Sequence, residues 1–372
     1  MGRTRKIAIT GGPCAGKTTG MAYLHRMIEG LGMRPLIVPE AATVTILGGV
    51  PPQALSPFDF QVALTKMHFY LEDHFAGLAR ACNDDRDTVI LCDRGILDGK
   101  AFSSPENWGR VLDALGVSED TIRATRYDAV VHMVTAADGA REFYTLENNN
   151  AREESPEQAI AVDRLLQAAW LGHPAKLRVI DNSTGFSQKI QRVGDEVCKI
   201  LGVSGASGTK KVFRLPLKAG LALKKSGFVL AGVEITQSYL RSEPGEERRL
   251  RKRKVDGCES YFYSTLRTLD GVPPLREERI ITRSEFKDFS KEADPARTTI
   301  HKMRYSYLYD GAHHELDVFH TPRIGFCLLE VDADRVSSLP LFQIEAIDVS
   351  GQDCYDNANI AKKDWVNPIK ES

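Results

Sequence analysis

The sequence predicts two domains of different class: an α/β domain, with a parallel sheet flanked by helices, and then a domain of antiparallel β structure. Three observations carry this. As far as about residue 201, short apolar runs alternate with longer helical patterns, the sign of a parallel sheet with crossover helices. The small-residue stretch Gly202-Val203-Ser204-Gly205-Ala206-Ser207-Gly208 then reads as a linker. Beyond it, 228–349 hold many short runs of aromatic, β-branched and alternating charged residues, the pattern of antiparallel strands. The length of 372 residues suits two domains at about 100–200 residues each. The expected boundaries are 1–203, a linker at 204–211, and 212–372.

In chain order, the first domain offers strands at Lys6–Thr10, Leu36–Pro39, Thr88–Asp93, Ala129–Thr135 and Leu177–Asp181. Helices fit between them. Ser56-Pro57-Phe58-Asp59 supplies a capping serine, a proline at the first helical position and an acid two residues later, so a helix should run from Pro57 toward Cys82. Ser104-Pro105-Glu106 and Ser155-Pro156-Glu157 are two further helix starts. In the second domain, Thr282-Arg283-Ser284-Glu285 is a capping box for a short helix. No internal repeat or low-complexity segment is present.

Bulk properties narrow the class. A 42% hydrophobic, 27% charged composition is that of an ordinary globular protein, and a net charge of −1 gives no global attraction to nucleic acid or anionic membrane. The balance is uneven, with 22 Lys+Arg against 25 Asp+Glu in 1–208 and 27 against 25 in the rest. Seven cysteines without a CxxC pair argue against a disulfide framework or a zinc site and fit a reducing compartment. No apolar run approaches the roughly 20 residues of a membrane span. The N-terminus enters a strand with no signal-peptide core, and Lys6 stands where a myristoylation motif wants Ser or Thr. The expected location is cytoplasmic, with peripheral contact at membranes left open.

Gly11-Gly12-Pro13-Cys14-Ala15-Gly16-Lys17-Thr18 fits the phosphate-loop pattern, directly after a strand and before a helical pattern. Its backbone N–H groups can wrap phosphates, Lys17 places a charge on the β/γ oxygens, and Thr18 offers a hydroxyl to Mg²⁺. Gly12, Pro13, Cys14, Ala15, Gly16, Lys17, Thr18 and Thr19 are thus the nucleotide-binding candidates, for GTP or ATP with Mg²⁺. The apolar strand Val89-Ile90-Leu91-Cys92 ends in Asp93, which would hold Mg²⁺ through water or act as base toward an acceptor hydroxyl. Thr18 and Asp93 are the metal candidates. The polar segment Arg141–Glu154 reads either as a closing lid whose Arg152 neutralises a transferred phosphoryl or as a solvated loop. Glu40 either touches substrate or caps a helix. Lys17, Asp93 and Arg152 are the catalytic candidates. Asp181-Asn182 is placed to approach the base, and no Asn-Lys-x-Asp motif marks guanine. Cys14 more often fills a small site than serves as a redox handle.

These motifs resemble the P-loop kinase-like ATPases related to nicotinamide-riboside and deoxynucleoside kinases. The likeness rests on Asp93-Arg94-Gly95 with Asp98, on Trp170-Leu171-Gly172-His173-Pro174 and on Ile180-Asp181-Asn182, and covers about 6–201.

In the second domain, alternate residues of a strand share a face. Arg249, Arg251 and Arg253 therefore point one way. The pattern repeats as Thr265 with Arg267, Arg276 with Glu278, Lys302 with Arg304, Glu315 with Asp317, and Glu330 with Asp332. On a closed or nearly closed sheet these groups would line one interior, where charges must be paired or bind a ligand, and guanidinium forks suit polyphosphate. Solvated outer faces are the alternative. A third reading takes Arg248–Lys254 as a nucleic-acid patch, with Tyr261-Phe262-Tyr263 as stacking platform, although the balance is against nucleic acid.

The succession Gln237-x-Tyr239-Leu240, Arg249-x-Arg251, Thr265-x-Arg267, Arg276-x-Glu278, Lys302-x-Arg304-Tyr305, Glu315-x-Asp317-x-Phe319 and Glu330-x-Asp332 resembles the CYTH or triphosphate-tunnel family. Val349–Asn357 resembles that family's C-terminal signature before a last helix. The resemblance implies an α+β fold, an eight-stranded antiparallel β-tunnel. Its cations Arg249, Arg251, Arg253, Arg267, Arg276, Lys302 and Arg304 would bind a polyanion. Its acids would be Glu234, Glu278, Glu315, Asp317, Glu330 and Asp332. One departure stands out: the family's first strand carries Glu-x-Glu-x-Lys, whereas Glu234-Ile235-Thr236-Gln237-Ser238 keeps only the first of the three. That favours binding over metal-assisted hydrolysis.

The combined layout resembles the animal TRPL translocation defect family, whose members are associated with GTP and phosphoinositide binding. It implies a nucleotide-binding protein whose second domain takes a phosphoinositide or polyphosphate. The alternatives are a small-molecule kinase or NTPase with an accessory tunnel, or an active tunnel triphosphatase. As an enzyme the chain leans toward slow NTP hydrolysis or phosphotransfer. Fold analogy does not transfer a ligand, and neither the oligomeric state nor the base is legible.

Overall fold

The structure, a computed structural model, describes residues 2–82, 84–144, 155–175, 177–203, 210–255, 257–269, 272–322, 324–332, 340 and 345–366, with backbone alone at 143, 268–269 and 272–277. The chain divides into two compact units, Met1–Gly208 and Thr209–Ser372.

In the first unit, β1 (Thr4–Gly11), β2 (Arg34–Val38), β3 (Thr88–Asp93), β4 (Ala129–Met133) and β5 (Leu177–Ile180) form one parallel sheet in the order β2-β3-β1-β4-β5. Its helices are α1 (Lys17–Gly30), α2 (Ala41–Leu47), α3 (Pro57–Ala81), α4 (Asp98–Ala101), α5 (Pro105–Leu115), α6 (Glu119–Thr125), α7 (Pro156–Ala169) and α8 (Phe186–Leu201). A parallel sheet needs cover on both faces, so its strands are apolar throughout rather than alternating. Ile7 and Ile9 pack with Met21, Leu24 and Ile28 of α1 and Val193 and Val197 of α8. The caps follow the sequence, since the hydroxyls of Ser56, Ser104 and Ser155 accept from the N–H groups of Asp59, Asn107 and Gln158. The strands after β1 all end pointing toward the same edge, which brings Asp93 beside the loop following β1.

The second unit holds β6 (Lys210–Pro216), α9 (Lys218–Lys224), β7 (Ala231–Leu240), β8 (Glu246–Val255), β9 (Cys258–Leu269), β10 (Val272–Ile281), α10 (Arg283–Ser290), β11 (Ile300–Tyr309), β12 (Ala312–Thr321), β13 (Phe326–Asp332), β14 (Ile347–Asp348) and the one-turn α11 (Asn357–Ile360). Nine strands pair antiparallel in the order β10-β9-β8-β7-β11-β12-β13-β6-β14. The expectation was an eight-stranded tunnel; among the described residues β10 and β14 end the sheet without pairing each other. Lys210 and Lys211, expected in the linker, open β6. The unit's first strand is therefore β6 rather than β7, so the departure read at Glu234–Ser238 falls on the second strand.

One face of this sheet is apolar and covered by helices. Ala219 and Leu223 of α9 pack on Phe213, Leu215, Leu316, Leu329 and Val331. Phe286 and Phe289 of α10 pack on Leu250, Tyr261, Tyr263 and Ile281. This ends the stacking-platform reading, because Tyr261 and Tyr263 lie against α10 and Phe262 is buried on the other face. The opposite, inner face carries the charged rows. At one end Val349, Tyr355 and Ile360 cover it, packing on Phe319, Phe326 and Leu328.

Candidate phosphate-binding sites

The first site forms where β1 turns into α1. The turn requires left-handed backbone at Cys14 (φ 55°) and Gly16 (φ 88°), and a side chain at Gly16 would meet the Phe186 ring at 2.6 Å. Lys17 begins α1 and reaches back to donate to the Gly11 carbonyl at 3.2 Å. Thr18 and Thr19 are exposed at the helix start, where the first N–H groups of a helix lack internal partners and the dipole favours an anion. Cys14 is half-buried and in no disulfide.

Across from the loop, β3 delivers Asp93, Arg94 and Gly95. Arg94 adopts φ 71°, a conformation that costs a non-glycine residue about 1–3 kcal/mol. Its guanidinium donates to Glu40 at 2.6 Å and to Asp98 and the Gly11 carbonyl at 3.3 Å each. Asp98 also accepts from Thr10 and from the Trp170 indole, both at 2.6 Å. Gly95 has no room for a side chain, since a Cβ would lie 2.6 Å from Trp170. Glu40 makes no capping bond to α2; its carboxylate faces Arg94 and accepts from Thr43, which places it in the site.

Electrostatics match an anion site. Burial, and then the Arg94 guanidinium, push Lys17 down to about 8, against the pull of Asp93, Glu40 and Asp98. Burial holds Asp93 above the ordinary carboxylate value; Lys17 opposes this and Glu40 adds to it. One oxygen of Asp93 is buried without a hydrogen-bond partner. That oxygen and the exposed Thr18 hydroxyl fit Mg²⁺, which uses one or two protein oxygens and completes its shell with phosphates and water. Among the described residues no three His, Cys, Asp or Glu gather as a metal cage.

Sequence reasoning missed the support behind the loop. Asp163 of α7 accepts from the Gly12 N–H at 2.8 Å, the Thr135 N–H at 3.0 Å and Gln167 at 2.8 Å, with His132 at 3.1 Å. Lys189 donates to the Val134 carbonyl at 2.6 Å and to Asn182 at 2.7 Å. Burial drives its ammonium down to about 8. Asp181 and Asn182, expected near the base, are engaged internally: Asp181 with Arg192 and Ser183, Asn182 with the carbonyls of Thr135 and Asp138. Arg152 lies outside the described residues.

The second site is the inner face of the nine-stranded sheet. Cross-strand partners share a face. Tyr239↔Arg249, Gln237↔Arg251 and Ile235↔Arg253 therefore set the arginine row beside β7. The pairs Ile235↔Lys302, Arg304↔Asp317 and Glu315↔Glu330 carry the same face across to β13, where Asp332 follows Glu330 by two residues and is buried. Ser264↔Glu278 extends it toward β10. Arg276 falls on this row by register, with its side chain outside the description. Arg267 and Glu234 do not belong. Arg267 pairs with Glu246 on the opposite face, ion-paired at 3.0 Å and 61% exposed, and Glu234 is exposed opposite Lys254. Alternation within each strand is as expected; the register between strands sends these two outward.

The inner face has two unlike halves. Toward β13, Arg304 forks onto Asp317 at 2.7 and 2.8 Å and reaches Glu315 at 2.7 Å, while Lys302 meets Asp317 at 2.6 Å. The two cations, outweighing burial, hold Asp317 down to about 2. Burial pushes Lys302 down to about 8. Beside them a cavity of about 200 Å³ is lined by Arg304, Glu330, Tyr355 and Asp356, among others. Toward β8 the ion pairs of Arg249 and Arg251 are looser. Arg249 and Arg251 share Glu278 at 3.7 and 3.9 Å. Arg251 is pushed down to about 10 by burial and then by Arg249.

Residues 6–189 match the family described as an AAA domain. With the loop and parallel sheet above, the first unit is a P-loop nucleotide-binding domain. No curated protein matches the chain. Among the described residues no helix is long and apolar enough to cross a membrane.

Proposed function

We propose that the chain is a nucleotide-controlled binding protein: the P-loop domain takes ATP or GTP with Mg²⁺, and the inner face of the second unit takes a phosphorylated anion, a phosphoinositide headgroup or polyphosphate. The observation that carries the first half is Lys17 at the start of α1, facing a partnerless Asp93 oxygen. In that arrangement Lys17 would neutralise the β/γ oxygens, and Thr18 and Asp93 would hold Mg²⁺, whose charge would offset that of the phosphates. The second half rests on Arg249, Arg251 and Arg253 sharing one face of the sheet, where Arg249 and Arg251 both approach Glu278. The likeness of the layout to the TRPL translocation defect family, and of the second unit to the CYTH family, points the same way. A phosphoinositide ligand would bring the chain to a membrane peripherally.

Phosphotransfer by the first domain is the second reading. It is favoured by Asp93, raised and with one oxygen lacking a hydrogen-bond partner, which could accept a proton from an acceptor hydroxyl, and by the likeness to nucleoside-type kinases. Tunnel hydrolysis is disfavoured, because Asp317 and Glu315 are already engaged by Arg304 and Lys302. Titration calorimetry of the full chain with Mg-ATP, Mg-GTP, inositol phosphates and tripolyphosphate tests the reading. Failure to bind either nucleotide would sink the first half; indifference to every phosphorylated anion would sink the second.

A further inference from the structure

A phosphate loop must present its N–H groups inward, and a floppy loop would lose entropy each time it closed on an anion. Here the two residues that begin the loop are held from behind. The buried Asp163 carboxylate takes the Gly12 N–H at 2.8 Å, and the Thr135 hydroxyl donates to the Pro13 carbonyl at 2.5 Å. Asp163 in turn fixes Thr135 through its N–H at 3.0 Å, so both tethers depend on one side chain. The fit is tight on the loop side as well, because a Cβ at Gly12 would stand 2.5 Å from the Asp163 oxygen. We infer that Asp163 is a positioning residue through which α7 pre-shapes the phosphate loop for a polyphosphate chain. It touches no ligand itself, and it acts from 151 residues along the chain.

The charge of Asp163 matters as much as its shape. A carboxylate accepts N–H bonds about twice as strongly as a neutral amide, and one oxygen here serves Gly12, Thr135 and His132 together. A bare carboxylate under the loop would oppose a triphosphate. The His132 ring stands at 3.1 Å from the same oxygen, and the ammonium of Lys189 lies close enough to feel the Asp163 charge. The network thus gives firm N–H anchoring.

This inference rests on the nucleotide reading, and the experiment separates the two. Calorimetry on the full chain compares Mg-ATP, Mg-ADP and AMP, and the guanine series, for wild type, Asp163→Asn and Asp163→Ala. Asn keeps the shape and loses the charge, so the triphosphate should bind about tenfold more weakly. The diphosphate should lose less and the monophosphate little, whatever the melting temperature without nucleotide. Asp163→Ala should exaggerate that graded loss; if it does not fold, Asp163→Asn decides alone. An equal loss at all three phosphate lengths would show a merely structural residue, and unchanged affinity would overturn the idea outright. A wild-type chain that binds none of the nucleotides would bring down the nucleotide reading, and this inference with it.

Discussion

The Arg94 guanidinium meets the Glu40 carboxylate at 2.6 Å, joining the end of β3 to the residue before α2. Both groups are largely shielded, at 13% and 25% side-chain exposure, so this pair is screened less than a surface one. Removing one partner leaves a desolvated charge behind. Glu40→Gln should therefore destabilise the protein by about 1–3 kcal/mol in denaturant titrations. It should also weaken Mg-nucleotide binding, because Arg94 loses the contact that orients it toward the loop. A variant as stable as wild type would mean the pair contributes nothing.

Lys17 gives a pH signature. Its ammonium is pushed down to about 8 without ligand, and bound phosphate favours the charged form, so binding near pH 8 should take up about half a proton. Affinity should fall as pH rises through 8. Calorimetry at pH 8 in buffers of different ionisation enthalpy reads the uptake directly; equal heats would contradict it. Lys17→Ala should bind Mg-nucleotide more than tenfold more weakly, the loss of a charge-assisted contact of about 1.5–3 kcal/mol.

Register makes Arg251 and Arg267 an internal control. Arg251 lies on the inner face beside Arg249, whereas Arg267 lies outside in an exposed pair with Glu246. Arg251→Ala should lower affinity for tripolyphosphate or inositol phosphates about tenfold, and Arg267→Ala by no more than about twofold. Binding isotherms that respond equally to both would remove the inner face as the site.

The Lys17→Ala chain with tripolyphosphate and Mg²⁺ or Mn²⁺ should release phosphate far more slowly than a typical enzymatic rate of about 10 s⁻¹. Asp317 is held near 2 by two cations and is poorly placed to take a metal as well. Turnover at the ordinary rate would reveal an active triphosphatase.

The sequence showed some of this plainly. Lys17 and Asp93 stood out because a phosphate loop needs fixed residue types at fixed spacing, next to an apolar strand. The serine-proline pairs located three helix starts to the residue, because capping is local chemistry. Asp163 went unread, although a trace of it was there. It shares a helical stripe with Ala159, Leu166 and Ala169, all buried, and an acid on an apolar stripe needs partners. Apart from Gln167 one turn on, those partners lie on the loop, on β4 and just after it, which no local pattern can supply. Alternation placed Arg267 correctly within its strand, but which face meets which is set by hairpin register. Strand β6 was hidden because a short run beside a linker carries little periodic signal.

The position of β6 bears on synthesis. It is the first strand of its unit, yet its neighbours in the sheet are β13 and β14, with Val212 donating to Ser350 and accepting from Val349. A ribosome delivers β6 more than a hundred residues before either neighbour exists. Until then the strand exposes both edges, while β7, β8, β9 and β10 can zip successively as hairpins. Emergence of the final strands thus completes the unit, and a nascent chain stalled before Phe326 would present an unpaired strand to solvent and to other chains.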